Sequence, residues 1–575
     1  MLALQRLAAV FTPNLLGARP PNSKIIDLIA FALLTGIPIL VAAWALLSPG
    51  RVLSSEMTWD FLFNLAGAWH LENGHVAHVD FHDPVGQLNF LLTVLGFRLI
   101  GLSPLAVIVG SLVWVLVTFV AASVVVRRRL PLLPAAAFVV FVCLLVVMPA
   151  NIGDQPRDYS FAMAYNRYGW SAVTIVAMIL FLPPRFSSRT GEALDMLTAG
   201  LLLVALFYLK ITYFAVGFGA VVLSLLLFPH VRSRWKGWLV VTSLVVANAL
   251  ASYNHPYLLD LWTAVEAGQA RGVLGVHLNT VLSGPESNAF YAAGLAVALC
   301  LWWRGLAPVR IPVAISFLLA AGTFLLTQNH QAQGIPLTVL IAVLLYDQLR
   351  QLPLEGQPYE PLSRVAPALI VLTVFLSAMI ATSFFSLVSY RVDASRDERL
   401  LVIGRTALKG LAVPFEPPGL LAAFAEEQGG PSLLNRARIL RPQHELSPME
   451  YVETLLEAAS LFDAACLRLG GIVVIDQVNP LPFMLGLPPP KGGSLWSGWG
   501  VPVRPSTEVF IEADHVLIPK FPTYSPGTDK AMRTYGAYLA ENFGRRHETQ
   551  SWIVLSREEA VSACVRKPND KAMRF

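Results

Sequence analysis

The sequence has little charge. Asp, Glu, Lys and Arg make up 14% of its 575 residues, whereas they make up about 25% of a typical soluble protein. Hydrophobic residues account for 55% of the chain, and the mean hydropathy is +0.59. This shortage of charge excludes an ordinary soluble protein over the whole length. It indicates many membrane-spanning segments, alone or joined to a soluble part.

Cysteine is also scarce, and a short apolar leader with a small-residue cleavage site is missing. Of the four cysteines, Cys143 and Cys300 fall in apolar segments, while Cys466 and Cys564 lie in the C-terminal part. A disulfide between the last two is a hypothesis that depends on an oxidising compartment. The apolar run from Ile25 to Leu47 is long enough to span a membrane, so we expect it to remain as the first helix.

The charges are unevenly distributed along the chain. Residues 389–575 contain 21 Lys and Arg and 21 Asp and Glu, and residues 1–388 contain 21 and 16. The second part is therefore soluble in composition, while the first is roughly 10% charged. We predict a cytoplasmic N-terminus (1–24), a transmembrane domain (25–388) and a C-terminal soluble domain (389–575). The net charge of +5 belongs to the membrane part, where it sets orientation and does not indicate nucleic-acid binding.

Basic clusters between the apolar runs indicate the orientation, because cytoplasmic loops are rich in Lys and Arg. The run 195–229 has arginines on both sides, which favours two spans with Lys210 at the outer tip. If 84–104 were a span, Arg127–Arg129 would lie outside. We therefore predict that 84–104 forms an interfacial helix. The result is about 11 spans, with the N-terminus cytoplasmic and the C-terminal domain outside. The apolar runs lie at 25–47, 104–126, 131–149, 169–182, 195–229, 238–254, 288–303, 311–327, 335–349 and 365–388.

The first predicted outer loop, 48–103, begins with two acids, Glu56 and Asp60. A helix is predicted from Thr58, its expected N-cap, and Asp60 would then lie in the first turn, where the helix dipole stabilises a carboxylate. Two interpretations remain open: Asp60 only caps an interfacial helix, or it has a chemical role. The apolar face of this amphipathic helix would consist of Trp59, Leu62, Phe63, Ala66 and Trp69.

The second outer loop, 150–168, contains Asp154, Arg157, Asp158 and Arg167. Arginines on the outer side run against the charge rule and favour an anionic partner, although ion pairing within the loop is the alternative. Lys210 interrupts a long apolar stretch. Its side chain either reaches the membrane interface or carries a functional charge. A third outer loop is predicted at 255–287.

Several motifs of the first loop resemble the GT-C superfamily of membrane glycosyltransferases. The order of the motifs carries this resemblance, which covers roughly residues 20–350, and the second outer acid, Lys210 after a middle helix and an outer C-terminal domain follow in the same order. One departure from the superfamily pattern is Asp60-Phe61, where many members have Asp-Glu. This departure puts a metal-dependent mechanism, or one that uses two adjacent acids, in doubt. The motifs are Asp60, the segment Ala68–Gly74, the pair Asp80-Phe81 and the dipeptide Pro84-Val85.

The resemblance is nearest to the enzymes that use polyprenyl-phosphate sugars, such as aminoarabinose, galacturonosyl and protein-mannosyl transferases. It implies an inverting transferase in a bacterial inner membrane, with a polyprenyl-phosphate-linked sugar as donor and an envelope lipid, glycan or protein as acceptor. Asp60 would be the general base. The donor phosphate would be bound by Lys210, Arg157 and Arg167, and the acceptor site or second acid would come from Asp154, Asp158, Asp80 or Asp83.

Four histidines of the first loop raise the question of a metal. His70, His75, His78 and His82 lie near Asp80 and Asp83, and carboxylates suit Mg²⁺ or Mn²⁺ whereas imidazoles suit Zn²⁺. Their spacing matches no closed metal site, so we expect no metal cofactor. A divalent metal remains the alternative.

The C-terminal domain is predicted to be mixed α/β. Helices are expected at 448–469, where Ser447 and Glu450 form a capping box, and at 528–543. Strands are expected at 471–477, 508–519 and 551–556. The apolar, proline-rich loop 479–493 either gates the acceptor or is a packed connector. The predicted fold class is therefore mostly α: a polytopic GT-C-type membrane protein with a C-terminal α/β domain.

Two other classes of function compete with a transferase. Transporters and lipid flippases often show internal repeats with broken helices at matching positions, and no such repeat is found here. A non-catalytic assembly protein of the envelope would keep the architecture without the chemistry. An acyl- or phosphotransferase is also compatible with the sequence.

Overall fold

The computed structural model describes residues 23–151, 154–186, 188–269, 285–327, 335–350, 380–415, 446–464, 467, 470–497, 501–523 and 525–560. Cys466 and Cys564 lie outside these residues, as does most of the apolar run 365–388. The predicted disulfide and the last predicted span therefore stay predictions.

The first part of the chain is almost entirely helical. Its elements are α1 (Ser23–Leu47), β1 (Val52–Leu53), α2 (Thr58–Glu72), α3 (Leu88–Ile100), α4 (Leu105–Val126), α5 (Leu132–Val147), α6 (Ala164–Phe181), α7 (Arg189–Leu209), α8 (Ile211–Leu227), α9 (Pro229–Arg232), α10 (Trp235–Ala249), α11 (His255–Gln269), α12 (Pro285–Trp303), α13 (Arg310–Thr327), α14 (Thr338–Arg350) and α15 (380–393). The predicted domain boundary at residue 389 falls inside α15.

Several of these helices are long and apolar enough to cross a membrane. Within the described residues there are four: Ile25–Leu47, Leu105–Val126, Arg189–Leu209 and Arg310–Thr327. A fifth candidate is the bent pair Trp235–Ala249 and Ser252–Ala267, whose two parts meet at 53°. Shorter apolar helices of 10–17 residues accompany them. The chain is a multi-pass membrane protein, and the number of 11 spans remains a prediction.

Two segments that could each have been one membrane span have the structure that the charge pattern predicted. The run 195–229 is divided between α7 and α8, and Lys210 is the single extended residue between them, with φ −166° and ψ 126°. The helix α3 has 13 residues and a length of about 20 Å, which is too short for a bilayer core of about 30 Å.

The C-terminal part is mixed α/β, as predicted for this part of the chain. Its capping box is present, because Ser447 Oγ accepts from Glu450 N–H at 3.2 Å and Glu450 Oε2 accepts from Ser447 N–H at 2.9 Å. The predicted strand 508–519 is instead a helical turn followed by a shorter strand. The elements are β2 (Leu400–Val402), β3 (Leu411–Pro414), α16 (Pro448–Ala464), β4 (Ile472–Val474), α17 (Leu481–Leu485), α18 (Ser506–Val509), β5 (His515–Pro519), α19 (Ser525–Asn542), β6 (Arg545–Glu548) and β7 (Trp552–Ser556).

The first outer loop and the C-terminal part are joined by backbone pairing. The strand β1 pairs in parallel with β3, giving a sheet of order β1-β3-β2, while the second sheet has the order β4-β5-β7-β6. In the 479–493 loop, α17 packs Phe483 against Trp69 of α2 and stacks it on Phe97 of α3. These contacts favour the interpretation of that loop as a packed connector.

At the other end of the membrane helices, Arg129 holds three helices together. Its guanidinium donates to the carbonyl oxygens of Val125, Ile179 and Leu182, near the C-termini of α4 and α6, and to both carboxylate oxygens of Asp195 on α7. The Arg129 side chain is only 1% exposed. It therefore satisfies helix-terminal carbonyls that would otherwise be buried without donors.

We predict that Asp195→Ala destabilises the protein strongly, because it leaves the buried charge of Arg129 without its carboxylate. Breaking a buried pair in this way costs about 3–5 kcal/mol. The matched control is Glu192→Ala, one turn away on α7, which removes a half-exposed pair with Arg234 and should cost less than about 1 kcal/mol. Denaturant unfolding of the two purified variants measures the difference, and equal losses would contradict this role of Arg129.

Candidate active site

The helices α2 and α6 are each preceded by a methionine whose backbone is in the left-handed region. Met57 and Met163 precede the two helices, and each has φ 48°. His78 and Phe161, in the same two predicted outer loops, also have positive φ, and Thr406 is the fifth such non-glycine residue in the described part of the chain. This conformation is costly for residues with a side chain, and it concentrates at functional sites. The strain therefore draws attention to the place where the two helices begin.

The start of α2 differs from the sequence prediction in one respect. Thr58 is already the first helical residue, and Met57 takes the N-cap position. The Thr58 hydroxyl pairs with Ser54 Oγ at 2.9 Å instead of capping the helix. Asp60 still lies in the first turn, as predicted.

The helix α2 is buried on all sides from Thr58 to His70, so the sides away from its predicted apolar face are enclosed as well. Its polar side packs on α3, where Asn89 Nδ2 donates to Asn64 Oδ1 at 2.8 Å. Its far end is covered by the C-terminal part, and Trp69 Nε1 donates to the carbonyl oxygen of Leu487 at 2.7 Å. Asp60 is therefore carried by an enclosed helix.

Asp60 is a buried carboxylate, 5% exposed, in a cationic surrounding. Burial raises its pKa to about 7, although the positive charges of Arg167 and Lys210 and a hydrogen bond from the Met163 backbone N–H act in the opposite direction. A carboxyl group with a pKa near neutrality suits proton transfer at physiological pH. The start of α6 thus supplies both a donor and a charge to the first turn of α2.

Arg167 belongs to α6 and is 2% exposed. Its Nη1 atom donates to Asn151 Oδ1 at 3.0 Å and to the carbonyl oxygen of Ala162 at 3.1 Å. The Nε atom is buried and has no hydrogen-bond partner among the described residues. Arg167 is therefore held in place by loop atoms while one of its donors remains available.

Lys210 reaches the same cluster from the break between α7 and α8. Its Nζ atom lies 5.2 Å from the centre of the Tyr165 ring and 3.5 Å from Asn166 Oδ1. The side chain is 9% exposed. Because the residue is surrounded by protein, the interpretation of Lys210 as a lysine that extends to the membrane surface does not fit.

Asp83 is the second buried carboxylate of the cluster, at 4% exposure. Its Oδ1 atom accepts from the Val85 N–H at 2.6 Å, and its Oδ2 atom is buried with no hydrogen-bond partner in the described part of the chain. Burial raises its pKa to about 8, and the charges of Asp260 and Asp60 contribute in the same direction.

Gly86 explains how Asp83 comes close to Lys210. The Gly86 N–H donates to the carbonyl oxygen of Leu209 at 3.0 Å, at the end of α7. A Cβ atom at this position would overlap the carbonyl oxygen of Tyr208. Only glycine permits this close approach of the loop to the helix end.

Of the other candidates from the sequence, three lie apart from this cluster and one lies at its edge. Arg157 is exposed and lies 3.7 Å from Asp393 of α15. Asp158 accepts from the Gln155 N–H within its own turn. Asp80 accepts from the Val76 N–H and pairs with Lys491 Nζ at 3.1 Å. Asp154 is partly buried at the edge of the cluster, where the charge of Arg167 acts on it.

Asp260 of α11 is a residue that the sequence analysis missed. Its carboxylate accepts from His78 Nδ1 at 3.1 Å and from His82 Nδ1 at 2.9 Å, and it also pairs with Arg504. It therefore ties together the Asp83 loop, the third outer loop and the C-terminal part. One signal was available: Asp260 is the only charged residue in the apolar segment 257–265.

The four histidines form two separate pairs. His78 and His82 contact Asp260, whereas His70 and His75 contact each other, with 3.0 Å between their Nδ1 atoms. In the part of the chain that the structure describes, no group of three or more His, Cys, Asp or Glu side chains is arranged to hold a metal ion.

Comparison with known proteins gives structural similarities only. No protein-family model and no curated protein matches the sequence. The chain is similar to the crystal structure of ArnT from Cupriavidus metallidurans bound to undecaprenyl phosphate, with 11% identity, a TM-score of 0.43, and coverage of 95% of this chain and 100% of that one.

It is also similar to the oligosaccharyltransferase AglB from Archaeoglobus fulgidus in complex with an inhibitory peptide and a dolichol-phosphate. That identity is 11% and the TM-score 0.36, over 87% of this chain and 70% of that chain. The two likenesses concern overall architecture, so the argument about function rests on the residues of the cluster.

We predict that Asp260→Ala loosens the Asp83 loop, because His78, His82 and Arg504 lose their common acceptor. Amide hydrogen exchange over residues 75–88 of the full chain in nanodiscs should become about tenfold faster, the effect of about 1.4 kcal/mol of lost local stability. Glu266→Ala, on the exposed side of the same helix, is the control and should leave the exchange unchanged. Equal exchange in both variants would show that Asp260 does not hold the loop.

Proposed function

We propose that this protein is an inverting glycosyltransferase of the GT-C type, which transfers a sugar from a polyprenyl-phosphate donor to an envelope acceptor. We place the reaction at the outer face of a bacterial inner membrane. The observation that carries the proposal is the buried cluster in which the positive charges of Arg167 and Lys210 act on the carboxylate of Asp60. One carboxylate to accept the acceptor's proton and two cations to bind a phosphate are the groups that this reaction needs.

In the proposed step, Asp60 takes the proton from an acceptor hydroxyl or amine. The acceptor atom attacks the anomeric carbon, the bond from that carbon to the phosphate oxygen breaks, and the electron pair leaves with the polyprenyl phosphate. A single displacement of this kind inverts the anomeric centre. After the transfer, the proton is on the Asp60 carboxylate and the new negative charge is on the released polyprenyl phosphate.

Lys210 and Arg167 would stabilise the charge that develops on the leaving phosphate. In a buried site, fixed cations act more strongly than they would in water. Of the phosphate-binding candidates from the sequence, Arg157 is not part of this proposal, because its exposed guanidinium lies beside Asp393. We assign the cationic role to the two buried side chains and include no divalent metal.

Asp83 is the acid best placed to assist the reaction. It is buried near both Asp60 and Lys210, and its Oδ2 atom lacks a hydrogen-bond partner among the described residues. With a pKa of about 8, it carries a proton near neutral pH and can donate a hydrogen bond to a substrate oxygen. We propose that it orients the acceptor or the donor sugar, and that Asp154, Asp158 and Asp80 are not needed for this.

We predict that Asp60→Asn abolishes sugar transfer in cells, because a general base contributes about 10²–10⁴-fold to the rate. Lipid-linked sugars and envelope glycans would be extracted from cells that carry the unaltered chain, Asp60→Asn or a deletion. The variant should match the deletion: one glycan loses a sugar, and the corresponding polyprenyl-phosphate sugar accumulates.

Asp397→Asn, at an exposed aspartate, is the control for an acid-to-amide change, and immunoblotting checks equal protein levels. If Asp60→Asn leaves every glycan intact while the deletion does not, Asp60 is not the base. If the deletion itself changes no glycan, the transport and assembly functions become the better explanations.

The pH dependence of the reaction gives a separate prediction. Asp60 must be ionised to accept a proton, so kcat/KM should rise with pH through about 7, the pKa to which burial raises this carboxyl group. The rate would be measured with the purified chain and the lipid-linked sugar isolated from the deletion strain. Asp83 has the higher pKa, about 8, so Asp83→Asn should leave the midpoint in place even where it lowers the rate. A flat profile from pH 5 to 8 would contradict the role of Asp60.

A further inference from the structure

A cleft lies away from the Asp60 cluster, between the far end of α2 and the C-terminal part. It is an open cleft of about 940 Å³, including its mouth. Its walls come from β4, from the segment after α17 and from α19, and His70 of α2 closes one side. The enclosed part is about 100 Å³, below the range of about 300–1,000 Å³ for ligand pockets, so most of a bound molecule would lie at the open mouth.

The cleft is connected to the candidate active site through the chain itself. His82 N–H donates to the carbonyl oxygen of Gly493 at 3.0 Å, and Leu495 N–H donates to that of His82 at 3.0 Å. Gly493 and Leu495 line the cleft, while His82 directly precedes Asp83. The same strand-like contact therefore forms part of both sites.

The distance between the two sites follows from α2. Asp60 and His70 are ten residues apart on one helix, which corresponds to about 15 Å. A single sugar at Asp60 would not reach the cleft, so an acceptor that uses both sites must be an extended molecule. The cleft is thus placed to hold the remainder of an extended acceptor whose reacting end lies at Asp60.

The polar groups of the cleft are suited to an oligosaccharide. Asn479 Nδ2 donates to the carbonyl oxygen of Ile472, and Asn479 Oδ1 is buried without a hydrogen-bond partner in the described residues. This oxygen requires a donor, such as a sugar hydroxyl. Ser494 and Ser497 add further hydroxyl groups to the lining.

The charged side chains that line the cleft are two lysines. Lys491 and Lys530 line it, and no Asp or Glu does so among the described lining residues. Lys491 pairs with Asp80, so Lys530 supplies the exposed cation. His70 contributes no charge, since burial and the neighbouring His75 lower its pKa to about 3. A carboxylate or phosphate on the ligand would meet a lysine here.

We propose that this cleft binds an oligosaccharide carrying anionic groups, and that it anchors the acceptor for the transfer at Asp60. The second clause rests on the proposed function, whereas binding in the cleft does not. The inference gives the acceptor a chemical class: an acidic glycan and not a single lipid headgroup.

Binding to the full chain in nanodiscs would be measured by calorimetry with three probes of equal length: hexagalacturonate, maltohexaose and hexaglutamate. We expect hexagalacturonate to bind, and the other two to bind at least tenfold more weakly. Inorganic phosphate added to the same cell should compete only weakly. If hexaglutamate or phosphate binds as tightly as hexagalacturonate, the cleft recognises only negative charge and not a sugar chain. If maltohexaose binds as tightly, the cleft has no preference for acidic sugars.

Two variants locate the binding. Lys530→Gln should weaken hexagalacturonate binding about fivefold, the upper end for an exposed charge, and Asn479→Ala should weaken it without changing the charge. Lys409→Gln, at an exposed lysine outside the cleft, is the control. Unchanged affinity in Lys530→Gln would overturn the assignment even if Asn479→Ala failed to fold.

The same assay separates this inference from the proposed function. Asp60→Asn should bind hexagalacturonate normally, because Asp60 is at the other end of α2. Loss of binding in Lys530→Gln together with loss of glycan transfer in Asp60→Asn supports both. If glycan transfer occurs but hexagalacturonate does not bind, only the proposed role of the cleft is overturned.

Discussion

The burial of charge around Asp60 is the constraint on which the rest of the site depends. A carboxylate is costly to bury unless opposite charges or donors surround it. Here these come from Arg167, Lys210 and the Met163 N–H. None of these groups is near Asp60 in the sequence, so the first turn of α2, the start of α6 and the end of α7 must come together before the carboxylate can be buried. The contacts that allow Asp60 to be buried are therefore also the contacts that form the site.

Irregular backbone delivers these groups to one place. Lys210 is the only residue between two helices, and Met57 and Met163 adopt left-handed conformations before the helices that carry Asp60 and Arg167. Gly86 lets the Asp83 loop contact the end of α7. In each case a regular helix would have directed the side chain elsewhere, and surrounding contacts maintain the less favourable geometry.

Local and compositional features could be predicted from the sequence, whereas long-range contacts could not. The break at Lys210, the short α3 and the Ser447 capping box depend on charge and spacing within a few residues, and the structure has all three. Arg157 resembled Arg167 as an outer basic residue, and only the structure separates them, because Asp393 lies more than 200 residues away. Asp260 was missed for the same reason: its partners come from distant segments. The enclosure of α2 likewise depends on α3 and on the C-terminal part.

The most direct measurement is the binding of undecaprenyl phosphate to the purified full chain, followed by native mass spectrometry. The account predicts that the unaltered protein and Asp60→Asn retain the lipid equally. Lys210→Gln and Arg167→Gln should retain about tenfold less, as expected for a lost hydrogen bond to a charged group, while still unfolding cooperatively. Equal retention by folded Lys210→Gln and Arg167→Gln would contradict the claim that this cluster binds a lipid phosphate.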